Sequence, residues 1–125
     1  MRIAPLPQNE KDRLAVLRKY NILDTEPEVI FDNMVQLASY ICETPIAAIS
    51  LIDENRQWFK SIVGLEVKET SREVAFCSHT ILHNEPLIVE NALLDERFFD
   101  NPLVTSGPNI RFMQEFLLFH KMEYI

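Results

Sequence analysis

The sequence predicts an α+β domain, and three observations carry that reading. Two stretches of helical apolar spacing come first, a pair of apolar strands joined by a polar turn follows, and shorter strand-like and helical pieces alternate after that. The chain holds 125 residues, 47% of them hydrophobic and 25% charged, with two glycines. That is the size and composition of one packed domain, neither disordered nor fibrous. The expected organisation is an extended leader over residues 1–8, which carries Pro5 and Pro7, and a single domain over residues 9–125.

Each element has its own local reason. Asn9 offers an N-cap, and Glu10 and Asp12 place negative charge in the first turn of a helix expected to run to Tyr20, with Leu14 and Leu17 on its packing stripe. Residues 21–26 read as a connector, and Pro27 suits the first turn of a second helix. Phe31, Met34, Val35, Ala38, Ile41 and Cys42 then recur at helical spacing as its apolar stripe, and Pro45 stops it. Residues 46–52 are apolar on both alternating faces, as in a strand covered on both sides. Asp53, Glu54, Asn55 and Arg56 supply turn chemistry, and residues 57–63 return as the second arm of an antiparallel hairpin. Strict alternation would turn Trp58, Lys60 and Ile62 one way and Phe59, Ser61 and Val63 the other.

Thr70, Ser71, Arg72 and Glu73 match a capping box, which predicts a helix to about His83 with Val74, Cys77, Ile81 and Leu82 on its apolar stripe. Leu87, Ile88 and Val89 form a short strand. Asp95 caps a brief helix through Phe99 that Pro102 ends, and residues 110–119 read as a final strand.

Charge and motif content exclude several functions. A net charge of −7 repels phosphate backbones and anionic membranes, so neither nucleic acid nor a membrane is expected as a partner. No apolar run approaches the ~20 residues of a membrane span or forms a signal peptide, and two cysteines do not make a disulfide framework. The expectation is a cytoplasmic protein with Cys42 and Cys77 as buried free thiols. With Gly64 and Gly107 the only glycines, there is no phosphate-cradling loop.

The remaining candidates cluster late in the chain. His79 and His83 lie one helical turn apart but lack a third ligand, whereas Cys77 and His79 point about 200° apart and cannot share a metal. Cys77 reads either as a buried small hydrophobe or as a reactive thiol. Trp58, Phe59, Phe76, Phe98 and Phe99 are either plain core or a stacking surface for a planar ligand. Arg111, between two apolar residues, either pairs with Asp95 or Asp100 or binds an anion.

Taken together, Ile22-Leu23-Asp24-Thr25-Glu26-Pro27-Glu28, Arg56-Gln57-Trp58-Phe59-Lys60-Ser61, Ala75-Phe76-Cys77-Ser78-His79 and Asp100-Asn101-Pro102-Leu103-Val104, with Asn9 to Arg13, Phe31-Asp32 and Pro45-Ile46, resemble bacterial GAF domains. The nearest type stands at the N-terminus of sensor histidine kinases and diguanylate cyclases, and the resemblance runs in order from residue 9 to about residue 112. It implies an antiparallel sheet with helices on both sides and a ligand pocket near Phe59, Cys77, His79, Phe98 and Arg111. It also implies a homodimer formed through helices on the N-terminal side. After Phe112 the sequence departs from the family pattern, and it reaches Ile125 before the family's last core strand and closing helix. The C-terminal segment is therefore expected to complete its sheet through a dimer contact or to be held irregularly. The Asn-Lys-Phe-Asp-Glu signature of cyclic-nucleotide members is missing, and Cys77-Ser78-His79 is only loosely similar to the chromophore-binding type.

The expected function is a non-enzymatic sensory or regulatory module that binds a small molecule and acts on an output domain such as a histidine kinase or diguanylate cyclase. The sequence names no cofactor. The alternatives are a structural homodimerisation module without a ligand and, last, an enzyme using Cys77 as its nucleophile.

Overall fold

A computed structural model describes residues 1–117 of the chain. Two helices open it, α1 (Glu10–Lys19) and α2 (Val29–Cys42), followed by strands β1 (Ala47–Ile52), β2 (Arg56–Val63) and β3 (Glu69–Ser71). A one-turn helix α3 (Cys77–Thr80), strand β4 (Leu87–Val89), a 3₁₀ turn at Ala92–Leu94, a one-turn helix α4 (Pro102–Thr105) and strand β5 (Met113–Glu115) complete the order. The class is α+β as the patterning predicts, with antiparallel strand pairs throughout. The strands form two sheets rather than one, with orders β1-β2-β3 and β4-β5.

Both long helices stand where their periodicity places them, but their ends are set differently. Asn9 makes no side-chain cap, although its carbonyl accepts the first helical bond from Arg13. Pro27 lies before α2 rather than in its first turn, since Glu28 is the N-cap. The C-terminus of α2 is closed ahead of Pro45 by Glu43, which turns left-handed at φ 53° so that the Thr44 N–H reaches the Ser39 carbonyl. Gly64, at φ +85°, ends β2 against the Pro45 backbone, where a Cβ would collide with the Pro45 carbonyl.

The β1–β2 hairpin forms around the predicted turn, with Leu51 opposite Trp58 and Ala47 opposite Val63. Its alternation is broken by a bulge, because Ile49 pairs with Ser61 while Ser50 pairs with Phe59, leaving Lys60 as the extra residue. Consecutive Lys60 and Ser61 consequently both reach toward the α2 side, where a simple strand would have turned them apart. The Lys60 ammonium lies 5.7 Å from the centre of the Phe31 ring, and the Ser61 hydroxyl donates to Asp32.

Three other expectations give way to tertiary contacts. Residues 70–73 do not cap a helix: Glu69–Ser71 pairs with the outer edge of β2, and the helix that follows shrinks to Cys77–Thr80. Pro102 begins α4 instead of ending a helix, with the Asn101 side chain capping the Leu103 N–H. Of the apolar stripe assigned to α2 only Val35 is buried, and Cys42 is exposed rather than a buried thiol. The expected strand over 110–119 is three residues long within the described region, and its remainder, with the question of a last strand and closing helix, lies outside the described residues.

The main core is Phe76, Val89, Ala92, Phe98, Val104 and Met113, which joins the β4–β5 sheet to the two short helices.

Candidate functional site

Two polar assemblies flank the hairpin. The first ties the N-terminal segments to it. Glu10 on α1 receives Arg13 at 2.8 Å and Arg72 at 3.1 Å, and Arg72 also donates to the carbonyls of Asp53 and Glu54 in the hairpin turn. Burial alone would raise the Glu10 pKa, but hydrogen bonds and charge from Arg72 and Arg13 outweigh it and bring the group to about 2. Arg56 grips both Asp24 and Asp53, at 2.7 and 3.0 Å. The Lys60 ammonium, placed by the bulge, donates to the Thr25 hydroxyl and the Glu26 carbonyl, each at 2.7 Å, and pairs with Glu28. The motifs around Asp24-Thr25-Glu26 and Arg56 to Ser61 thus meet as a clasp between connector and hairpin.

The second assembly surrounds Cys77, on the opposite face of β2. Its thiol lies 3.3 Å from the Ser50 hydroxyl of β1 and 3.1 Å from the Gln57 amide of β2, and it donates to the Glu115 carboxyl of β5. Thr70 of β3 donates to Gln57, and Thr80 of α3 donates to Glu115. Strands β1, β2 and β5 therefore meet at the sulfur carried by α3, with Thr70 of β3 one hydrogen bond behind Gln57, and the thiol bridges the two sheets. Burial, then the charge and hydrogen bond of Glu115, push the Cys77 thiol well above its ordinary range. Burial also raises Glu115, only partly offset by hydrogen bonds from Cys77 and Thr80. Burial therefore works against the thiolate that a cysteine nucleophile needs.

The five expected pocket residues divide between these surroundings. Phe59 faces Ser50 across the hairpin and so shares the Cys77 face. His79 and Phe98 meet edge to face at 5.0 Å in the main core, and Phe76 meets Phe98 edge to face as well, at 4.8 Å. Burial holds His79 below the usual imidazole range, and its Nε2 is 3.1 Å from the Arg2 carbonyl. Arg111 pairs with neither Asp95 nor Asp100; its guanidinium donates to the backbone carbonyls of Val104 and Ile110, at 2.8 and 3.1 Å. Asp95 is taken by Arg97, and Asp100 by the Met1 amine.

Sequence reasoning flagged Cys77 but missed Ser50, Gln57 and Glu115. Glu115 lies 38 residues further along the chain, a separation that no local spacing rule links to a helix residue. Among the described residues no cluster of three or more histidine, cysteine, aspartate or glutamate side chains is arranged for a metal ion. No described helix is long and apolar enough to cross a membrane.

An open groove of about 400 Å³ runs between α2 and β2, lined by Asp32, Val35, Phe59, Lys60 and Val67 among others. A second, wider one of about 730 Å³ lies at the C-terminal end of α2, between Ser39 and Pro45. Of the five expected pocket residues only Phe59 lines either groove.

Comparison with known proteins places this geometry in context. Residues 26–116 match the GAF domain family. Over 112 residues the chain is 38% identical to a cyclic di-GMP phosphodiesterase of Pseudomonas aeruginosa, an alignment covering 90% of this chain and 19% of that relative. The chain thus spans about a fifth of the length of the curated relative it matches.

Proposed function

The chain belongs to the GAF domain family, and on that premise we propose that it is a non-enzymatic sensory module, cytoplasmic and homodimeric, whose small-molecule site lies on the Cys77 face of the hairpin. The carrying observation is the meeting of β1, β2 and β5 at the Cys77 thiol of α3, with β3 behind Gln57. A ligand that rearranges one of those partners alters how the two sheets are held together, and a shift between two such arrangements is what an output domain reads. Phe59 and Cys77 form the face of that site. His79 and Phe98 form the wall behind it, and Arg111 pins the segment leading into β5.

The output is a signalling catalytic domain, either the histidine kinase or diguanylate cyclase expected from the sequence or a cyclic di-GMP phosphodiesterase like the Pseudomonas relative. Resemblance to that relative over most of this chain supports the phosphodiesterase.

Native mass spectrometry of the chain purified from cells tests the reading. Retained small-molecule mass that Phe59→Ala abolishes is the expected result. A bare polypeptide that is not stabilised by cyclic di-GMP, cyclic AMP, cyclic GMP, haem or biliverdin in thermal shift overturns it in favour of a structural module. Cys77 alkylating at neutral pH as fast as exposed Cys42 would revive the thiol enzyme.

A further inference from the structure

Residues 1–7 belong to no helix or strand and are held chiefly at their two ends. At one end Arg2 gives both of its backbone groups to the segment around α3 and α4. Its N–H donates to the Arg97 carbonyl, and its carbonyl accepts from the His79 Nε2–H, each at 3.1 Å. Its guanidinium reaches Glu96 at 3.4 Å, and the Met1 amine pairs with Asp100. The other end is fixed where the Glu10 N–H, opening α1, donates to the Pro7 carbonyl at 3.1 Å. Among the described residues no hydrogen bond holds the backbone of residues 3–6 between these points, and Ile3 and Leu6 stand 54% and 65% exposed.

The contact at Arg2 covers a group that matters and is weakly held. His79 is buried, and its ring meets Phe98, the most enclosed aromatic of the core, edge to face. A carbonyl can only accept, so the bond to Arg2 keeps the His79 proton on Nε2, and when Arg2 leaves that donor needs water in its place. Against this, the Arg2–Glu96 pair is 60% and 87% exposed, the kind of pair that contributes little in water. Two backbone bonds and two surface pairs are few enough to open while the sheets stay closed. The span is also stiff, because Pro5 and Pro7 fix φ at two of the five residues between Arg2 and Gln8, so a displaced tip moves Pro7 instead of being absorbed on the way. Pro7 leads into α1, where Glu10 holds Arg72 and through it the hairpin turn.

We infer that residues 1–7 form a strap with two positions, latched on His79 and Arg97 or released, and that its position couples the His79–Phe98 wall to α1. The strap is the two-state element that both ends bias. It gives the site proposed above a means of regulation and rests on that reading for what moves the wall, whereas its opening needs no ligand.

Amide exchange and chemical shifts of the full chain, both by NMR, test it. The Arg2 amide is expected to exchange roughly tenfold or more slowly than in an unstructured peptide, yet much faster than the β2 amides paired with β1, because the strap opens while the sheets stay closed. Arg2→Asp sets a carboxylate against Glu96. It should lower protection at residue 2 by about fivefold, move the His79 ring signals and shift the α1 amides, at an unchanged melting temperature. Adding Glu96→Lys restores both protection and shifts. Adding Pro5→Gly/Leu6→Gly to Arg2→Asp, at two exposed positions, keeps the change at His79 and removes it from α1. An unprotected Arg2 amide in the wild type, exchange there as slow as in β2, or α1 shifts that persist through the glycine pair overturns the proposal. Failure of the small-molecule reading shows instead as the absence of retained ligand mass and leaves all of these results as they are.

Discussion

Glu10 and Glu115 are both carboxyls withdrawn from water, and their surroundings drive them in opposite directions. Glu10 faces two guanidinium groups, so its folded pKa of about 2 lies below the unfolded value of 4.5. Its contribution is fully present above 4.5 and disappears as pH falls through 2; the shift corresponds to roughly 3 kcal/mol. Glu10→Gln is expected to destabilise the fold by roughly 2–4 kcal/mol at pH 7, because Arg13 and Arg72 lose their buried partner. The difference from wild type should shrink toward pH 2 in urea titrations. Among the described residues Glu115 takes its hydrogen bonds from the Cys77 thiol and the Thr80 hydroxyl, neither of them a cation. Its folded pKa is raised, so the stability it contributes is present below the unfolded value and is lost as pH rises toward the raised one. Glu115→Gln should therefore leave the chain more stable than wild type at neutral pH and remove that decline, read as the slope of melting temperature against pH. A neutral variant that melts lower than wild type at pH 7 would mean that the carboxylate has a cationic partner.

At the scale of elements, the β-bulge is what joins the N-terminal connector to the hairpin. By placing Lys60 on the same side as Ser61, it buries an ammonium whose three ligands come from residues 25, 26 and 28. Lys60→Met keeps the aliphatic stem and removes the donor. The expected outcome is a loss of roughly 1–3 kcal/mol, with amide exchange accelerated over residues 22–28 and unchanged in β1; uniform acceleration would mean that the ammonium supports the whole hairpin instead. The hairpin itself was legible, since two apolar runs and a polar turn admit little else. The bulge was not, because nothing local distinguishes Lys60 from its neighbours, and the selection is made by Thr25, Glu26 and Glu28 from another segment. Thr70 misled for a related reason: its hydroxyl is spent on Gln57 and its backbone on the β2 edge, so the capping-box pattern never closes. Pro102 fits either end of a helix, and Asn101 decides for the start. For the site, the Cys77 segment stood out as a motif. Its partners Ser50, Gln57 and Glu115 lie on three different strands, and residue spacing cannot bring them together.

At the scale of the whole molecule, an acidic surface surrounds an apolar and uncharged helix face. The periodicity of α2 identified a helix with ample apolar surface, but a helix apolar on two sides does not say which side its own chain will cover. In this fold the sheet takes Phe31 and Val35 and leaves Ile30, Met34, Leu37 and Ile41 outside. The balance between general repulsion and local apolar contact fixes how association responds to salt. Each copy carries −7, and the Debye length falls from about 30 Å at 0.01 M salt to about 8 Å at 0.15 M. Added salt therefore screens the repulsion between copies and leaves the uncharged stripe untouched. The dimer dissociation constant is expected to fall as sodium chloride rises from 0.01 to 0.3 M, measured by sedimentation at fixed pH 7. An interface built on ion pairs across the copies would respond in the opposite sense, weakening as those pairs are screened. A dissociation constant that falls as salt rises would place the attraction in uncharged surface and the opposition in the charge of the molecule as a whole.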